Sequence, residues 1–123
     1  MEIHGREIHF RRSVEANCNI AEICPDKDPN KFNDLINGPY IEAQKSAAVF
    51  MSELSKAYEK EQKYNEPGYV ENPLTFDEAL LLDNDVFNDL FMEAIDVFAD
   101  DGKTTVEAEA PKAKGKNGNG DGE

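Results

Sequence analysis

The chain has 123 residues, with 26 acidic side chains against 13 basic ones and a formal charge of −13. That balance excludes an ordinary phosphate-binding surface, which needs clustered Lys and Arg. There is no Trp, no apolar run near the roughly 18 residues that span a bilayer, and no signal-peptide core in Met1–Arg12. One small, marginally stable domain resident in the cytoplasm is therefore the expectation.

Met1–Arg12 alternates apolar and charged residues, which predicts a β-hairpin. With Gly5-Arg6 as a two-residue type II′ turn, His4 faces Glu7, Ile3 faces Ile8, Glu2 faces His9 and Met1 faces Phe10. Met1, Ile3, Ile8 and Phe10 then share a face that must rest on helices, because a lone hairpin is unstable in water. His4 and His9 fall on the solvent face, where cross-strand ion pairs with glutamates are expected rather than metal ligation with Cys18.

Ser13 is the predicted N-cap of a helix reaching about Cys24, with Val14, Cys18, Ala21 and Cys24 as its apolar stripe. Its two cysteines point to different helix faces and are read as reduced thiols. Asp28-Pro29 restarts a helix as cap and first-turn proline, burying Phe32, Leu35 and Ile36 before Gly38-Pro39 stops it. The segment from Asp26 begins like a calcium loop, but Lys31 replaces the required Gly and Asn37 the bidentate Glu. Asp83-Asn84-Asp85 likewise lacks a Gly at Asn88, so both segments read as helix caps.

The longest helix is predicted from about Tyr40 to Tyr64, striped by Ile41, Ala47, Ala48, Met51, Leu54 and Tyr58, with Lys56–Lys63 as a solvated face of alternating charge. Asn65–Pro73, with two prolines and a glycine, is a loop. Thr75-Phe76-Asp77-Glu78 is a capping box that opens a short helix to Leu82. Asp83 or Asn84 caps the last helix, whose Val86, Phe87, Leu90, Phe91, Ala94, Ile95 and Phe98 form a broad apolar stripe ending by Gly102. The expected fold is mainly α (α+β): residues 1–101 form one domain, an N-terminal β-hairpin packed on four to five helices. Residues 102–123 form a disordered low-complexity tail of Ala, Lys, Gly, Asn and Glu.

No spacing suggests a Ser-His-acid or Cys-His pair, a P-loop or a dinucleotide-binding glycine pattern, so no catalytic, cofactor-binding or metal-binding residue is assigned and an enzyme is not expected. Arg6, Arg11 and Arg12 are expected to partner the protein's own acids. The informative stretch is residues 64–102, with eleven acids and no Lys or Arg around two amphipathic patterns. Apolar ridges framed by negative charge suit docking on another protein. Phe87, Leu90, Phe91 and Ile95 are the expected docking residues, framed by Asp85, Asp89 and Glu93, on a stripe that must also supply core. Phe50 and Tyr58 carry the same double reading. Self-association is expected to modulate access.

This order of parts, opened by Ile3-His4-Gly5-Arg6-Glu7-Ile8-His9-Phe10 with its I-x-G-[KR]-E pattern, resembles the tail assembly chaperones of long-tailed bacteriophages and prophages, particularly of Gram-positive hosts. The resemblance covers residues 1–116 in layout. It implies a non-enzymatic protein of the host cytoplasm that binds and solubilises the tape measure protein and helps recruit tail tube subunits. It also implies a second, frameshifted product, with which Lys114-Gly115-Lys116 is compatible. A reading of another class rests on the same acid excess. Asp85, Asp89, Glu93 and Asp96 fall on one side of a helix, as in a DNA-mimic inhibitor of a nucleic-acid-binding enzyme. A small cytoplasmic adaptor is the third.

Overall fold

The computed structural model describes residues 1–107, so the expected tail beyond them, with the frameshift segment, lies outside the described residues. The fold is mainly α: a two-stranded hairpin followed by helices gathered on one long central helix. β1 (Glu2–Ile3) and β2 (Arg6–Glu7) pair antiparallel, with Glu2 opposite Glu7 and Ile3 opposite Arg6. The turn is thus His4-Gly5, not Gly5-Arg6. Both residues have positive φ, 51° and 84°, as a type I′ turn requires. The pairing has slipped two residues from the predicted one, and an even slip leaves every side chain on its predicted face. Ile3, Ile8 and Phe10 are accordingly buried.

The slip changes the partners of the charged residues. Glu2 and Glu7 now face each other, and Glu7 is held by the Met1 amine. His4 Nδ1 lies 2.6 Å from Glu78 Oε2 instead of facing Glu7, and the His9 ring packs on Tyr58 at 4.8 Å between centroids. The expected cross-strand His–Glu pairs are therefore replaced by tertiary contacts. Arg6, placed beside Ile3, reaches the same Glu78.

α1 covers Val14–Glu22, and the Ser13 hydroxyl accepts from the Ala16 amide at 3.1 Å, as its capping role requires. Its buried positions are Ala16 and Ile20, with Cys24 just beyond. Val14 is 79% exposed and Cys18 is exposed, contrary to the predicted stripe. The alternatives differ in which side chain they bury, and covering Ile20 removes more apolar area from water than covering Cys18. Both thiols are free, and burial pushes that of Cys24 up.

Two short 3-10 turns, Pro25–Lys27 and Pro29–Lys31, lead into α2 (Phe32–Ile36). The Asp28 carboxylate accepts from the Asn30 amide at 2.9 Å, so it is a cap, while Asp26 pairs with Lys31.

α3 (Tyr40–Asn65) is the central element and touches α1, α2 and the two later helices. Ala47, Ala48, Met51 and Leu54 are buried as predicted, and Phe50 is fully buried; Ile41 is exposed and Tyr58 half-buried. The predicted solvated face from Lys56 to Lys63 is only partly solvated. Glu59 is 5% exposed, and its Oε1 accepts from the Tyr69 hydroxyl at 2.8 Å and the Asn72 amide at 2.9 Å. Four residues earlier the buried Ser55 hydroxyl accepts from the Leu74 amide at 2.8 Å. The proline loop is therefore strapped back along α3, and the Tyr69 phenol is pushed up to about 12 by its bond to Glu59. Glu59→Ala leaves two donors unpaired. It is expected to cost about 2–3 kcal/mol and to speed amide exchange at Asn72 and Leu74. Unchanged exchange there would show that other contacts hold the loop.

α4 is a single turn, Phe76–Ala79, shorter than the predicted helix to Leu82. The Thr75 hydroxyl accepts from the Glu78 amide at 3.1 Å, but the Glu78 carboxylate goes to Arg6 and His4 rather than back to the cap. α5 (Asn84–Glu107) starts where predicted and passes through Gly102, its expected end. One glycine inside a helix costs about 1 kcal/mol, too little by itself to stop one.

Candidate functional site

The periodicity of α5 divides its residues into three arcs. Phe87, Leu90 and Ala94 point inward and are 5, 0 and 0% exposed. Val86, Phe91, Ile95, Val97 and Phe98 lie on the flanks, packed on the core but not covered. Asp85, Asn88, Asp89, Met92, Glu93, Asp96 and Asp100 point to solvent. The seven predicted docking residues thus separate. Phe87 and Leu90 are core and give a partner no surface. Phe91 and Ile95 remain partly open, and Asp85, Asp89 and Glu93 are exposed.

An aromatic cluster supports the open flank. Phe50 of α3 stacks on Phe32 at 4.3 Å and meets Phe91 and Phe98 edge-on at 5.9 and 5.1 Å. Arg12 lies over the Phe98 ring at 3.7 Å and donates to the Phe98 carbonyl at 2.9 Å and to Asn17 at 2.8 Å, tying α5 to α1. Beside this cluster a groove of about 200 Å³ separates α5 from the segment entering α2. Pro29, Asn30, Phe32 and Asn33 form one wall, with Ile95, Phe98 and Ala99 as the other. Asp28-Pro29 was legible in the sequence as the start of a helix, but the role of Pro29 in a groove wall was not, because only tertiary packing brings it to Ile95. A second cleft, about 310 Å³ and lined by Phe10, Arg11, Tyr58, Glu61, Val97 and Asp100, is bridged on its rim by an Arg11–Glu61 pair at 3.1 Å.

The electrostatics are uneven. Arg6, Arg11, Lys27, Lys31, Lys56 and Lys60 are paired with Glu78, Glu61, Glu22, Asp26, Glu53 and Glu15. On α5, Glu93 reaches the Met1 amine at 3.5 Å, whereas Asp85, Asp89, Asp96 and Asp100 have no ionic partner among the described residues. Only Asp85 sits in the first turn, where the helix dipole favours a negative charge. Asp85–Asp89, Asp89–Glu93 and Asp96–Asp100 are like-charge pairs four residues apart, each destabilising by about 0.2–0.5 kcal/mol. α5 therefore carries about 1 kcal/mol of repulsion that an incoming cation would relieve.

His4, His9 and Cys18 do not converge, and among the described residues no group of three His, Cys, Asp or Glu side chains is placed to hold a metal ion. No helix among the described residues is long and apolar enough to cross a membrane. The chain matches no protein-family model, and no curated protein and no solved structure proved similar to it.

Proposed function

We propose that this chain is a non-enzymatic assembly chaperone of the phage-tail type, which covers apolar helical faces of the tape measure protein in the host cytoplasm and helps recruit tail tube subunits. The observation that carries this reading is the open apolar groove beside Ile95, on a helix whose exposed Asp85, Asp89 and Asp96 have no cationic partner among the described residues. An apolar seat gives affinity for an exposed helix, and the charged row keeps the complex soluble and guides encounter.

Co-expression with a candidate tape measure protein tests the reading. Soluble co-elution is expected with the unaltered chain, and its loss with Ile95→Asp, provided that variant keeps its far-ultraviolet circular dichroism. Phe87→Asp is not diagnostic, since a charge at a position 5% exposed unfolds the domain. A tape measure protein that precipitates with the unaltered chain would refute the proposal.

The DNA-mimic reading draws on the outward row Asp85, Asp89, Glu93 and Asp96. Magnitudes weigh against it. At about 1.5 Å per residue these four charges cover about 16 Å, or one per roughly 4 Å, against one per about 1.7 Å of duplex axis. A mimic would also bind its enzyme with steep salt dependence, whereas an apolar seat gives a shallow one.

A further inference from the structure

We propose that the groove between α2 and α5 seats the apolar face of a basic amphipathic helix, whose Lys or Arg side chains pair with the carboxylates of α5. This rests on the docking reading above and adds the chemistry of the partner. Around the axis of α5, Asp85, Asp89 and Asp96 lie within about 80–120° of Ile95. At about 1.5 Å per residue Asp96 stands beside the α5 wall of the groove, while Asp89 and Asp85 lie about 9 and 15 Å further towards the start of the helix. The acids therefore form a row leading up to the groove that a docked helix of about three or four turns would follow. A helix laid there with apolar residues at i, i+3, i+4 and i+7 puts one of them against Phe32, Ile95 and Phe98. Its adjacent polar face meets the acids.

Other occupants fit less well. Strand addition needs a sheet edge, and the sheet here consists of two strands of two residues each. A second copy of the chain brings its own −13 charge to an acidic face. Residues 108–123 contain Lys112, Lys114 and Lys116, but no apolar side chain beyond Ala and Pro to fill the groove. The paired lysines and arginines of the body are likewise committed elsewhere.

The experiment uses the full chain and three synthetic peptides: a Leu/Lys amphipathic helix, a scrambled isomer of equal charge, and the same apolar pattern with Glu for Lys. Fluorescence anisotropy is expected to show the first binding at least about tenfold tighter than either control. Ile95→Asp, Ala99→Phe and the double change Asp89→Lys with Asp96→Lys are each expected to weaken it by about tenfold or more. Ala99 is exposed, so Ala99→Phe plugs the groove without disturbing the core. Amide shifts in nuclear magnetic resonance should fall on residues 30–33 and 91–99.

Equal binding of the scrambled isomer, or affinity unchanged by Ile95→Asp and Ala99→Phe, would overturn the inference. So would a dimer of the free chain that shields Ile95. A tape measure protein still held soluble by both groove variants would overturn the groove assignment while leaving the chaperone reading intact. Groove-dependent peptide binding without solubilisation of any tape measure protein would uphold this inference and sink the chaperone reading.

Discussion

Phe50→Ala is expected to lower stability by about 3–5 kcal/mol, the largest loss for any single truncation in the core. The side chain is 0% exposed and joins three aromatic neighbours from two other helices, stacking on Phe32 and meeting Phe91 and Phe98 edge-on. Removing the ring takes away its transfer free energy and the ring-edge contacts, and leaves a cavity that the long α3 backbone cannot collapse to fill. Against a total stability of about 5–15 kcal/mol, a loss of that size brings the domain close to unfolding. With a urea slope of about 1–2 kcal/mol per molar, the midpoint should fall by about 1.5–5 M. A fall of only a few tenths of a molar would mean that Phe32 and Phe98 repack into the space. Phe50→Leu keeps most of the volume and should fold. Because Phe50 braces the rings behind the groove, that milder variant is expected to weaken peptide binding as well.

The residues that fixed their own neighbourhood were the readable ones. Ser13 and Thr75 cap the helices they were expected to cap, and Asp28 caps the 3-10 turn that leads into α2, because a cap depends on a few consecutive residues. The period of Ala47, Ala48, Met51 and Leu54 located the long helix to within a residue of its end. Faces in the hairpin were also legible, but its register was not. His4-Gly5 and Gly5-Arg6 are both acceptable two-residue turns, and what separates them is Arg6 finding Glu78, seventy-two residues away. Glu59 misled for the same reason: a glutamate between lysines reads as solvated until a distant loop supplies Tyr69 and Asn72 as donors. The acidic arc of α5 was visible as periodicity and charge. Which of its apolar neighbours stay open was not, since Leu90 and Ile95 are equivalent in composition and differ only in what packs over them.

Glu78→Gln is expected to flatten the acid limb of the stability curve, because this carboxylate ties the hairpin to the rest of the domain. Arg6 Nη2 donates to Glu78 Oε1 at 2.6 Å and Nη1 donates to Oε2 at 2.7 Å, a bidentate pair. The same guanidinium donates to the carbonyls of Asn72 at 3.0 Å, Pro73 at 2.9 Å and Ile3 at 3.2 Å, so hairpin, loop and α4 meet on one side chain. The hydrogen bond from Arg6, helped by His4, brings the Glu78 carboxyl down from 4.5 to about 2, and its side chain is only 17% exposed. A folded-state pKa below the unfolded one contributes stability that is present above the unfolded value and disappears as pH falls through the folded one. The contribution is therefore complete at neutral pH, begins to fade near 4.5 and is gone below about 2. Its ceiling is about 3 kcal/mol. Urea midpoints measured across that window should fall more steeply for the unaltered chain than for Glu78→Gln, while the remaining acids affect both alike. Arg6→Ala should cost more than Glu78→Gln at neutral pH, about 3–5 kcal/mol, since it strands a largely buried carboxylate. The double variant should lose less than the sum of the two. Parallel acid limbs and additive losses would mean that the hairpin is held by Ile3, Ile8 and Phe10 alone, and that the Arg6–Glu78 pair contributes only orientation.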